Sequence, residues 1–175
     1  MTLGSSVPMT NPPGRLCVSQ ALQRARAIGK PVLLRTHISL PFVNSWSFAM
    51  SFSKRDEECF AWSGPAGQRA FVASGSCHMT LSYGETRFTE MSGACSAVCE
   101  HVLDLPWCSG DRVDSGAPLW VGGFSFEAVG SEGRTRQDGA SPWHGWGDGA
   151  MWIPRLLVSN SSQGAVAIVH GWAHP

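Results

Sequence analysis

Alternation of apolar and polar positions runs through most of this chain, and helical periodicity breaks in at two places. Over residues 32–40, Leu34, Thr36, Ile38 and Leu40 take one side while Leu33, Arg35, His37 and Ser39 take the other. That is the two-residue period of a half-buried strand, and Pro31 and Pro41 bound it. Just before it, Ser19 can cap a helix over 20–28, with Leu22, Ala25 and Ile28 on one stripe and Gly29 at its end. A second helix is predicted over 85–102. Ser82 stands three residues before Glu85 as in a capping box, and Phe88, Met91, Cys95, Val98 and Val102 recur at steps of three and four.

Short apolar segments fill the remainder. Residues 58–63 and 68–74 flank Gly64-Pro65-Ala66-Gly67, which reads as a hairpin, and a third strand over 77–83 follows Gly75. Residues 43–51 are apolar and aromatic without alternation, so a short helix or turn tucking Trp46 and Phe48 inward is expected. The run Leu119-Trp120-Val121-Gly122-Gly123-Phe124-Ser125-Phe126 reads as a core strand. Its glycine pair, Gly122 and Gly123 beside Phe124, signals a bulge or a very close neighbouring backbone. In Met151-Trp152-Ile153-Pro154-Arg155-Leu156-Leu157-Val158, Pro154 cannot donate to a ladder, which predicts an edge strand or a bulge. A Gly-, Ser- and charge-rich loop over 127–149 is anchored by Trp143 and Trp146. A turn over 160–164 then leads to a last strand over 165–172. The sum is an α+β fold: an antiparallel sheet with helices packed on one face, in one domain over 18–175 after a flexible segment over 1–17.

Charge narrows the possible partners. Lys plus Arg and Asp plus Glu stand at 13 each and are scattered, so no footprint for nucleic acid or an anionic membrane appears. The opening residues lack the basic and apolar parts of a signal peptide, and no apolar run reaches membrane-spanning length, so a cytoplasmic location is expected. There the six cysteines, Cys17, Cys59, Cys77, Cys95, Cys99 and Cys108, are expected as free thiols. Eight Trp and eight Phe against one Tyr suggest large apolar surfaces, some of them meant for a partner.

A search for chemistry returns little. Cys95 and Cys99 with His101 and Cys108 have the residue types of a metal cluster without its Cys-x-x-Cys spacing, and Cys95 falls on the helix's apolar stripe. Of His37, His78, His101, His144, His170 and His174, only His170 and His174 stand four apart, and they fall at the end of the predicted last strand rather than on a helix, so no metal site is assigned. There is no Gly-x-Ser-x-Gly elbow, and the glycine-rich stretch over 145–149 lacks a phosphate loop's lysine. No catalytic residue is assigned, and no substrate-binding residue is identified. The residues singled out, Gly122, Gly123, Phe124 and Pro154, are structural.

The order of these segments resembles a known family. Ala21-Leu22-Gln23-Arg24-Ala25-Arg26-Ala27-Ile28-Gly29-Lys30-Pro31-Val32-Leu33-Leu34 leading to Leu40-Pro41 is similar to the opening of isochorismate synthases. So are Cys59-Phe60-Ala61-Trp62-Ser63 ahead of Arg69-Ala70-Phe71-Val72-Ala73-Ser74-Gly75, the helix over 85–102, Trp120-Val121-Gly122-Gly123-Phe124-Ser125-Phe126, and Ile153-Pro154-Arg155-Leu156-Leu157. The resemblance implies a chorismate-using enzyme of menaquinone or siderophore biosynthesis, an isomerase built as a large α/β sandwich. In that family Mg2+ holds a substrate carboxylate, a lysine activates water and a glutamic acid helps the hydroxyl depart. It also implies that those groups belong to a C-terminal chorismate-binding portion or subunit, the expected partner. The chain holds only Lys30 and Lys54, neither in an apolar strand, so none of these roles transfers to it. Strands meant to meet that portion would leave open edges, an invitation to self-association. The alternative is a stand-alone interaction or ligand-binding module that kept the fold without the chemistry.

Overall fold

The computed structural model describes residues 14–41, 44–53, 58–65, 69–108, 111, 113, 119–125, 147–162 and 164–175. Its elements are α1 (Arg15–Ile28), β1 (Val32–Leu40), α2 (Ser45–Ser53), β2 (Cys59–Ser63), β3 (Arg69–Ser82), α3 (Arg87–Cys99), β4 (Val102–Pro106), β5 (Val121–Phe124), β6 (Gly149–Ser161) and β7 (Gly164–Ala173). The seven strands form one sheet in the order β2-β3-β6-β7-β1-β4, with β5 branching from β6. The α+β class holds. The sheet is antiparallel except for β1 and β4, which pair in parallel.

The register assigns the faces. One row runs Cys59, Ser74, Leu156, Val169 and Thr36 straight across five strands. At its ends the Cys59 thiol meets the Ala49 carbonyl of α2, and the Thr36 hydroxyl meets the Cys17 sulfur of α1. Both helices therefore lie on the same face. There α1 buries Cys17, Ala21 and Ala25 against Val32, Leu34 and Ala173, small helix residues that let the two backbones approach closely. The adjoining row, Phe60, Ala73, Leu157, Ile168 and His37, belongs to the opposite face. Its apolar members join Phe71, Val121, Trp152 and Val166 in a second cluster, with the Phe60 ring edge-on to Trp152 at 6.2 Å. Helix α3 packs on β3 and β6 and buries Met91.

Several boundaries differ from the sequence reading, each for a local reason. Helix α1 starts at Arg15 from a left-handed Gly14 set against the Trp107 ring, so Ser19 is inside the helix; the Gly29 stop holds at φ 66°. Strand β1 spans 32–40 as expected, yet it is an interior strand between β7 and β4, and Val32 to His37 are buried on both faces rather than on one. The two segments split at Gly75 are one strand, β3. The chain absorbs the interruption as a register shift between Ser76 and His78, with Gly75 at φ 63°. Helix α3 begins two residues after Glu85, with Thr86 at the N-cap position; the Thr86 hydroxyl makes no capping bond and donates instead to the Glu90 carboxylate at 2.7 Å. Phe88 is exposed rather than on a buried stripe, and Val102 opens the unforeseen strand β4. Helix α2 forms with Phe48 half-buried; the side chain of Trp46, and all of Trp143 and Trp146, lie outside the described residues. Among the described residues no helix is long and apolar enough to cross a membrane.

Candidate functional site

A row of polar side chains crosses the face opposite α1. The register sets Arg35 of β1 between Asp104 of β4 and His170 of β7, with His37 two residues along. Arg35, His37 and His170 are buried, His37 completely, whereas the Asp104 side chain is 43% exposed at the sheet edge. His37 Nε2 donates to Asp104 Oδ1 at 3.1 Å, and Arg35 Nε lies 3.6 Å from the same oxygen. Burial alone would raise the Asp104 carboxyl, but the hydrogen bond from His37 and the Arg35 charge outweigh it and hold the group below its usual range.

His170 shows the opposite balance. Its Nδ1–H donates to the Pro154 carbonyl at 2.7 Å, which leaves Nε2 as a buried acceptor with no partner among the described residues. Burial lowers its pKa to about 4, and the positive Arg35 adds to that; the Pro154 hydrogen bond and the Asp104 charge oppose it only in part. The ring is therefore neutral at pH 7.

Aromatic rings continue this site toward the place where the sheet forks. Strand β7 leaves β6 after Leu156, and β5 joins the same edge only from Trp152, so the His170 bond to Pro154 falls in the gap between them. The His78 ring of β3 sits edge-on to Trp172 of β7 at 5.7 Å and to Trp120 at 5.6 Å, reaching across β6. The Trp120 indole N–H is also buried and has no partner among the described residues. A second set of contacts clamps the far end of the fork. The buried Asp148 accepts Gly84 N at 2.6 Å with its carboxylate, donates its own N–H to Ser82 O, and accepts Ser125 N with its carbonyl.

The four residues singled out from the sequence lie at this fork, and they differ among themselves. At Gly122, with φ 155°, an added Cβ would strike the Ala150 carbonyl oxygen and lie 2.8 Å from the Met151 Cα, so the close neighbouring backbone is real. Gly123 faces open space, and β5 runs in continuous register from Val121 to Phe124 with no bulge. The strand is a short branch rather than a core strand, and Phe124 is partly exposed against Phe88 at 4.6 Å. Pro154 sits within an interior strand, not at an edge. It is tolerated because it faces the Ser76–His78 register shift on one side and the gap between β5 and β7 on the other.

The sequence reading missed the Arg35–His37–Asp104–His170 row because strand alternation assigned Arg35 and His37 to solvent. The available signal was a guanidinium and an imidazole two residues apart in a strand whose other members are almost all apolar. A histidine paired with a carboxylate has the residue types of a general base, but His37 is sealed and its Nε2 already serves Asp104, so no substrate proton is within reach. What the arrangement does is neutralise a buried guanidinium with a countercharge that stays half in water. A divalent cation does not fit these residues. Asp104 and Asp148 are committed as described, and among the described residues no three His, Cys, Asp or Glu side chains come together as a ligand set.

Comparison with known proteins adds one finding. The profile of a family described as "Chorismate binding enzyme" matches residues 20–175. No curated protein and no solved structure matches the chain.

Proposed function

The chain belongs to the chorismate-binding enzyme family, and from that premise we propose that it is the non-catalytic N-terminal portion of an isochorismate synthase, completing an active centre whose reacting groups another portion or subunit supplies. The observation that carries this reading is the placement of its amines and acids. Lys30, the only lysine among the described residues, is exposed in the turn between α1 and β1. Adding water to a ring carbon and expelling a hydroxyl both require an acid or base within about 3 Å of the reacting atom, and the described carboxylates are either bound within the fold or, as at Glu58, Glu85 and Glu100, exposed on its surface. Asp104 serves His37 and Arg35, Asp148 serves Gly84, and Glu90 serves Thr86. In this reading Mg2+ and its glutamates belong to the partner portion, and no step passes through this chain.

A second reading, a stand-alone ligand-binding module, draws on the buried His170 Nε2 and Trp120 Nε1 at the fork, which have no partner among the described residues. One assay separates the two. Purified chain incubated with chorismate and Mg2+ is expected to yield no isochorismate by chromatography and to show no saturable chorismate binding by calorimetry. Turnover by the chain alone overturns the proposal, and saturable binding without turnover favours the second reading.

A further inference from the structure

We propose that Cys95 and Cys99 on α3 form a chelating site for one soft, low-coordinate metal ion of the copper(I) class. Both are free thiols, Cys95 half-buried and Cys99 exposed at the last residue of the helix. The sequence reading placed Cys95 on the helix's apolar stripe; the structure leaves it half-buried, on the same helical face as the exposed Cys99.

The spacing selects the chemistry. Residues four apart on a helix have Cβ atoms about 5–6 Å apart, whereas a disulfide needs about 3.8 Å, so this pair cannot oxidise to a bridge without unwinding its turn. An ion with metal–sulfur bonds of about 2.3 Å spans about 4.6 Å between two sulfurs on opposite sides, and that fits. The two thiols are the only accessible sulfur donors on this helix, since Met91 is buried, and the nearby Glu90 carboxylate is bonded to Thr86. Thiolate donors select soft ions over magnesium or calcium. Binding releases both thiol protons to solvent, forms two metal–sulfur bonds and changes no oxidation state. The site is independent of the chorismate reading and stands if that reading fails.

The test is an anaerobic titration of the reduced full chain with copper(I) held by a chromogenic chelator. The chain is expected to withdraw one equivalent and to release two protons per ion in weak buffer. Cys95→Ser and Cys99→Ser should each weaken binding by about 100-fold or more, the usual gain from a second linked contact. The double variant Cys59→Ser/Cys108→Ser, which removes the two exposed thiols outside α3, should bind as the parent does. Cys99 is exposed at the helix end, so Cys99→Ser tests the site even where Cys95→Ser disturbs folding, and circular dichroism verifies the helix. Parent-like binding by Cys99→Ser, or loss of the equivalent in the Cys59/Cys108 variant, overturns the assignment.

Discussion

The two halves of the sheet solve the same packing problem by opposite means. Around β1, β4 and β7 the chain brings a helix close with small side chains, Ala21 and Ala25, and buries a charged row on the far face. Around β3, β5 and β6 it brings backbones together directly, through Gly122, and ties the loop ends with Asp148. The first half stores its specificity in electrostatics and the second in steric fit. They should therefore fail under different perturbations, acid for one and added volume for the other.

Steric change at the fork should have the largest effect. Gly122→Val forces a branched side chain into a positive-φ site against the Ala150 carbonyl and should cost about 4 kcal/mol of unfolding free energy in urea titration. Acid should act on the other half. His170 has a folded pKa near 4 against 6.5 unfolded, so below pH 6.5 the unfolded chain binds more protons. Stability should be full above pH 6.5 and fall by about 3 kcal/mol as the pH drops to about 4. The depressed Asp104 carboxyl acts in the same direction at still lower pH, below its ordinary 3.8. His170→Gln should flatten the slope between pH 6.5 and 4 in thermal unfolding; an unchanged slope would remove His170 from the acid response. Ala25→Leu should cost about 2 kcal/mol by overpacking α1 against β1, and a neutral result would show that the helix contact is loose. The smallest effect belongs to Gly123→Ala, within about 0.5 kcal/mol, since its Cβ meets nothing. Similar losses at Gly122 and Gly123 would erase the steric contrast on which the comparison rests.

What the sequence made legible follows from which forces are local. β1 spans the residues its prolines and alternation predict, and Gly29 ends α1, because turn chemistry and strand period act within a few residues. The burial of Arg35 and His37 was hidden, since it depends on Asp104 and His170, which are 69 and 135 residues from Arg35 in the sequence (104 − 35 and 170 − 35). Val102 to Pro106 carried too few residues to show a strand period, and its parallel partner lies far back in the chain. The glycine pair signalled close approach correctly, but only the register shows that Gly122 needs it and Gly123 does not. At the fork, Pro154 argued for an edge or a bulge; β6 is interior, and the irregularity lies opposite Pro154, between Ser76 and His78 of β3, because the sequence could not show which strands would pair with β6.

Reconstitution offers the most direct test of the central claim, that this chain shapes an active centre without supplying its reacting groups. The chain is mixed or fused with a matching chorismate-binding portion that carries the lysine and glutamates, and isochorismate formation is followed with Mg2+ present. The account predicts no product from either part alone and product from the two together. A chorismate-binding portion equally active without this chain, or product from this chain by itself, would contradict it.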